Sequence, residues 1–343
     1  MANKVDQEKP NLWKTQETLD WLMGSDPAVR WQVMRDLLDY DADLFRAEQE
    51  KVAKIGWGKD YLSYQDESGM WGGGIYSPKW ISTTYTMLTL RRIGLPAENE
   101  RAHKGCWQLL ERGRYSDGGI NFFASQSLSE ACVTGMVLSI LAHFRYPDPY
   151  IDGIPDHLLG RQMPDGGWNC EDYRGATHSS FHTTLSVLEG LLEYQKSKSK
   201  VRVKIEIARL RAHEFLLQHR LYKSHRTGEV VSARMTRMPY PPRWFYDFLK
   251  ALDYFQAYFK WRMNREYQYP DQESETLDRK HKHDERFLDA IELLKSKQKK
   301  NGYWNTYRGP SGRIYFDMEP AGKAGRWNTL RALRVLRWWE GQP

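Results

Sequence analysis

The chain has 343 residues, 40% of them hydrophobic, and a net charge of +7. That is enough apolar material for a large core, and length alone would allow two domains. No stretch approaches about 18 uninterrupted apolar residues, and MANKVDQEKP lacks the apolar segment of a secretion signal, so a soluble, cytoplasmic protein is expected.

Residues 1–14 read as a flexible N-terminus. Apolar spacing then predicts helices over 15–23 and 29–38, parted at Ser25-Asp26-Pro27, where Ser or Asp caps the second helix and proline suits its first turn. Five further pairs follow: 43–64 with 79–94, 100–112 with 127–144, 149–162 with 178–195, 202–219 with 242–260, and 284–298 with 322–340. Segments 196–204 and 261–283 read as solvated and charged, the second as an insertion. Within pairs the second helix is the more apolar, as in CVTGMVLSIL and TTLSVLEGLL, while first helices such as ENERAHKGCWQLLERG are amphipathic. Three cysteines (Cys106, Cys132, Cys170) without a secretory signal argue against a disulfide framework and leave reduced thiols or metal ligands. The positive charge is dispersed and no nucleic-acid module is present, so an anionic small molecule is the expected partner.

Three turns share one pattern, Q-x3-G-x-W: Gln65, Gly69, Trp71; Gln162, Gly166, Trp168; and Gln298, Gly302, Trp304. A degraded copy lies at Asp117, Gly118, Gly119, Ile120, and Gln218 falls in phase. A unit of about fifty residues indicates a repeat architecture whose single units cannot bury their own apolar faces. The pattern resembles the repeat of the squalene and oxidosqualene cyclases, to which the repeats of protein prenyltransferase β-subunits are related. The resemblance spans about residues 15–340 and implies an all-α fold, a single (α/α)6 toroid in one closed domain. Apolar helices would lie inside and amphipathic ones outside, with each Gln and Trp holding its turn against a neighbouring unit.

In such a toroid the inner helices begin near one mouth of a central cavity, which makes their N-terminal turns the candidate site. Arg30, Lys79, Trp80, Tyr240, Arg243, Trp244, Lys323, Arg326 and Trp327 are the expected substrate-binding residues, with Trp31, Thr83 and Asn328 beside them. Free N–H groups there favour anions, and Arg243, Lys323 and Arg326 are expected to converge with Lys79 on one end. Glu130, Asp247 and His178 are the candidate acid–base residues, joined by Glu319 if no metal binds.

Prenyltransferase β-subunits hold zinc with an Asp-x-Cys pair opening one inner helix and a His opening an H-T-Y-like segment of a later one. Here Glu130-Ala131-Cys132 and His182-Thr183-Thr184 stand at such starts. The resemblance implies zinc at Cys132 and His182, with Glu130, Cys170 or His178 completing the shell and a position left open. Glu in place of Asp, and a Cys-to-His interval of one repeat, depart from the family pattern. Neither D-x-D-D nor D-D-x-x-D occurs, and a single toroid lacks both the second barrel of triterpene cyclases and the α-subunit of prenyltransferases. The expectation is a zinc-dependent enzyme, a transferase, cyclase, lyase or hydrolase acting on an anionic or isoprenoid-like molecule. The alternative is a non-catalytic protein that binds a lipid or isoprenoid in the same cavity.

Overall fold

The computed structural model describes residues 15–198, 202–266 and 284–341. Among them the regular structure is all-helical, with isolated β-bridges at turns and no strand. No described helix is long and apolar enough to cross a membrane. The expected flexible N-terminus 1–14, and 267–283 of the expected insertion, lie outside the described residues.

The first hairpin pairs α1 (Gln16–Met23) with α2 (Pro27–Asp36). Its cap is the expected one: the Asp26 carboxylate accepts from Ala28 N at 2.8 Å, and Pro27 opens the helix. The predicted helix over 43–64 is broken into α3 (Ala42–Gln49), a 3-10 turn and α4 (Gly56–Ser63), because Gly56 takes φ +70° and Asp26 accepts from Trp57 N at 2.9 Å. Then follow α5 (Thr83–Ile93), α6 (Glu100–Gly113), α7 (Ala131–His143), α8 (Ile154–Gly160), α9 (Phe181–Ser197), α10 (Val203–Gln218), α11 (Phe248–Glu266), α12 (Leu288–Ser296) and α13 (Arg326–Trp339). From the second hairpin on, the second helices start about three to six residues later than periodicity predicts. Helix α11 runs through Trp261 and Arg262, which belong to the core and not to a solvated insertion: Arg262 is buried, within 3.9 Å of Glu206.

The three Q-x3-G-x-W turns are built alike. Trp71, Trp168 and Trp304 are fully buried, and their indole N–H groups donate to the carbonyls of Tyr61, Leu158 and Leu294 at 2.7–2.8 Å. Their backbone N–H groups donate to the hydroxyls of Thr83, Thr184 and Thr329, in the first turns of α5, α9 and α13. Gln65, Gln162 and Gln298 donate to the carbonyls of Gly69, Gly166 and Gly302, whose φ values of +89°, +98° and +83° suit glycine. The degraded copy keeps the scheme, with Ile120 N bonded to Thr134 Oγ1 at 3.0 Å. Gln218 does not: its amide bonds to Glu214 on its own helix, and no equivalent turn follows.

The apolar second helices touch in sequence: α5 packs on α7, α7 on α9, α9 on α11, α11 on α13, and α13 on α2. Helix α2 reaches α5 through Trp31 Nε1 to Ile93 O (3.0 Å) and Gln32 Nε2 to Arg92 O (3.1 Å). The turns face the first helices of following units: a Cβ on Gly166 would lie 2.4 Å from the carbonyl oxygen of Arg211 on α10, and one on Gly302 would lie 3.4 Å from Thr18 on α1.

Candidate functional site

Charged residues in the C-terminal halves of α2, α5 and α9 face others spread along α11 and α13. A cavity of about 940 Å³ opens there. Among the described residues its wall holds nine cations (Arg35, Arg46, Arg91, Arg92, Lys196, Lys250, Lys260, Arg331, Arg334) against four carboxylates (Asp36, Glu189, Glu193, Asp253).

Every carboxylate is shared. Asp36 meets Arg35 (2.8 Å), Lys260 (3.0 Å) and Arg334 (3.4 Å). Burial raises its pKa, but those three cations outweigh it and hold the carboxyl well below the usual range. Glu189 lies 3.3 Å from both Lys250 and Arg92 and 3.8 Å from Arg91; burial is again outweighed, and its pKa falls to about 2. Asp253 accepts from Arg331 (3.3 Å) and Arg334 (2.5 Å). Burial, with Arg92 adding repulsion, draws the Lys250 ammonium down to about 8 despite Glu189.

The cations are not fully satisfied by these acids. Arg91 Nε and Arg92 Nη1 are buried without a hydrogen-bond partner, as are the Tyr240 hydroxyl and Trp327 Nε1. All four residues line the cavity, and the Tyr240 and Trp327 rings stack at 4.5 Å with an 11° interplanar angle. Buried donors without acceptors are costly. All four belong to residues of one cavity whose wall carries more cations than carboxylates.

Of the residues expected at the helix N-termini, only Tyr240 and Trp327, with Trp31, reach this cavity. A second group gathers elsewhere. The Lys79 ammonium lies 5.6 Å from the ring centres of both Trp80 and Trp244, and the Arg243 guanidinium lies 5.9 Å from Trp80. Arg243 is buried with φ +54°, reaches Thr89 Oγ1 at 3.4 Å, and has no carboxylate within ion-pair distance among the described residues. The expected convergence with Lys323 and Arg326 needs correction. Side chains lean toward a helix N-terminus, so Arg326, first in α13, swings over Trp21 of α1 at 4.7 Å, while Lys323 is exposed in the preceding turn. Arg30 is likewise turned away, paired with Glu48 at 2.5 Å.

Asp247 caps α11, accepting from Lys250 N at 2.7 Å; its Oδ2 is buried without a partner, and burial pushes its pKa up. Glu319 caps α13, accepting from Arg326 N (2.5 Å) and Trp327 N (3.4 Å), while burial pushes its pKa up to about 7. Glu130 accepts from Gln126 at 2.9 Å, and its Oε2 lies 3.7 Å from Cys132 Sγ. His178 is exposed beside Thr177.

The implied zinc ligands do not fit a zinc ion as they stand. The Cys132 thiol donates to Glu130 Oε2 and neighbours the Cys170 thiol, whereas the His182 ring is lodged among Trp244, Phe245 and Tyr246, its Nδ1 accepting from Tyr246 N at 2.8 Å. Burial, with Lys250 and Arg234 adding to it, depresses the imidazole pKa to about 4. Among the described residues no group of three or more His, Cys, Asp and Glu side chains is arranged to hold a metal ion.

The cavity residues that the sequence reading passed over carried a signal. Counting from the turn-binding threonines Thr83, Thr134 and Thr184, the ninth residue is Arg92, His143 and Glu193 in turn. Polar residues at that register in α5, α7 and α9, helices that are otherwise apolar, point to a shared polar centre, although the same count from Thr329 on α13 reaches Trp338.

No protein-family model matches the chain, and no curated protein matches its sequence.

Proposed function

We propose that the chain is a six-hairpin α/α toroid of the squalene cyclase and prenyltransferase β-subunit type, and an enzyme that acts on a small anionic molecule in the central cavity. Three features support the toroid: the repeated turns, the succession of second-helix contacts that returns from α13 to α2, and the approach of Gly302 to Thr18 on α1. The observation that carries the anion is the set of buried, unpartnered donors of Arg91, Arg92, Tyr240 and Trp327 around a cavity richer in cations than carboxylates. Lys250 and Asp247, both buried and shifted toward their neutral forms, supply reactive groups beside that anchor. A charged wall is a poor host for a hydrocarbon chain, which favours a compact polar anion over an isoprenoid or lipid.

Isothermal calorimetry with phosphate, diphosphate and small dicarboxylates tests the reading, comparing the wild type with Arg92→Met and Tyr240→Phe. The expected result is saturable binding of at least one anion, weakened in both variants. At 100 times its Kd such a ligand stabilises the fold by about 2.7 kcal/mol. Binding that is absent, or unchanged in both variants, contradicts the proposal.

A further inference from the structure

Lys250 is the third residue of α11 and lines the cavity. Its side chain is 4% exposed, whereas the other cavity lysines, Lys196 and Lys260, are 34% and 45% exposed. The groups facing it are Arg92 from α5, Glu189 from α9 and the capping Asp247. Its one ion-pair partner among the described residues, Glu189 at 3.3 Å, is shared with Arg91 and Arg92. A lysine in that setting is incompletely neutralised and crowded by guanidinium groups, which stay protonated and offer no nucleophile.

We infer that Lys250 is a covalent catalytic residue, its amine forming an imine with the carbonyl carbon of an anionic aldehyde or oxo acid held in the cavity. The inference rests on the anion reading above, with the unpartnered donors of Arg92 and Tyr240 anchoring the substrate's carboxylate or phosphate. The neutral amine attacks the carbonyl carbon, a C–N bond forms, and a proton passes from nitrogen to oxygen to give a carbinolamine. The C–O bond then breaks, the hydroxyl leaves with the second nitrogen proton, and the net change is amine plus carbonyl to imine plus water, with no oxidation or reduction. Glu189 orients the amine, and burial together with Arg92 keeps part of it unprotonated near neutral pH, its pKa drawn to about 8.

The test is reductive trapping on the full chain. Glyoxylate, pyruvate and the uncharged propanal are each incubated with the protein and sodium cyanoborohydride, and adducts are mapped by peptide mass spectrometry. The expected result is a dominant adduct on Lys250 with the anionic carbonyls and its loss in Lys250→Arg, which keeps the cation but not the nucleophile. Peptide mapping of the wild type decides the matter even if that variant unfolds. Labelling confined to exposed lysines overturns the inference. If propanal labels Lys250 as readily as glyoxylate does, the nucleophile stands and the anion reading fails.

Discussion

Two neighbouring thiols do not titrate like isolated ones. Cys132, beside Cys170 and buried against Glu130, is pushed well above the thiol range, whereas Cys170 is brought down to about 7 by its Cys132 neighbour, against burial and with help from Thr183. Cys106 is pushed up by burial alone. Iodoacetamide should therefore modify Cys170 first, with a rate that rises through about pH 7, because the thiolate is the nucleophile. Cys132→Ala removes the neighbouring thiol and should move that inflection upward; equal alkylation rates for all three cysteines, read by mass spectrometry, would refute the assignment. Sequence reasoning placed these thiols close to functional histidines, and the error lies at this scale. Cys132 and His182 occupy equivalent positions two residues before Thr134 and Thr184, but what a side chain meets there depends on the intruding segment 244–246, which no local pattern announces.

At the scale of the element, the turn is the unit that holds neighbouring helices in place. Trp168 is buried, donates to Leu158 O, and caps its turn through Thr184. Trp168→Ala should cost about 3–5 kcal/mol in urea unfolding, and Trp168→Phe distinctly less, since most of the apolar volume remains. Gly166→Ala should also destabilise, because φ is +98° and the new Cβ would collide with the carbonyl of Arg211; a neutral effect would mean that the turn does not press on α10. These turns were legible because their chemistry is local: glycine for positive φ, glutamine and tryptophan to reach nearby carbonyls. The late starts of the second helices were not. Residues before Thr83, for example, are held in a turn, outside the helix, by bonds between Trp80 N and Arg313 O, and between Arg313 N and Lys79 O, partners more than two hundred residues away.

At the scale of the whole molecule, the buried charge network sets how stability depends on pH. Asp36, Glu189 and Glu193 all have pKa values held below the carboxylate range by neighbouring cations, despite burial. A group depressed in the folded state stabilises the fold above its unfolded pKa and loses that contribution as pH falls through the folded value. Unfolding free energy should therefore fall as the pH drops from about 5 to about 2, and Asp36→Asn should flatten that slope while lowering stability at neutral pH. A slope unchanged in the variant would remove Asp36 from the network. Helix pairing was readable in the alternation of amphipathic and apolar segments; of the expected residues the cavity takes Tyr240 and Trp327, with Trp31, and adds charges from the later turns of α2, α5 and α9. N-terminal dipoles and free N–H groups pointed to one mouth, where the structure instead packs Trp80, Trp244 and Phe245 against Lys79 and Arg243. Tungstate, a phosphate analogue with strong anomalous scattering, tests most directly the proposal that the cavity holds an anion at Arg91, Arg92 and Tyr240. Crystals soaked at low millimolar tungstate should show the ion within hydrogen-bond distance of Arg92 and Tyr240. Tungstate found only at exposed basic residues, or at the Lys79 end, would contradict the account.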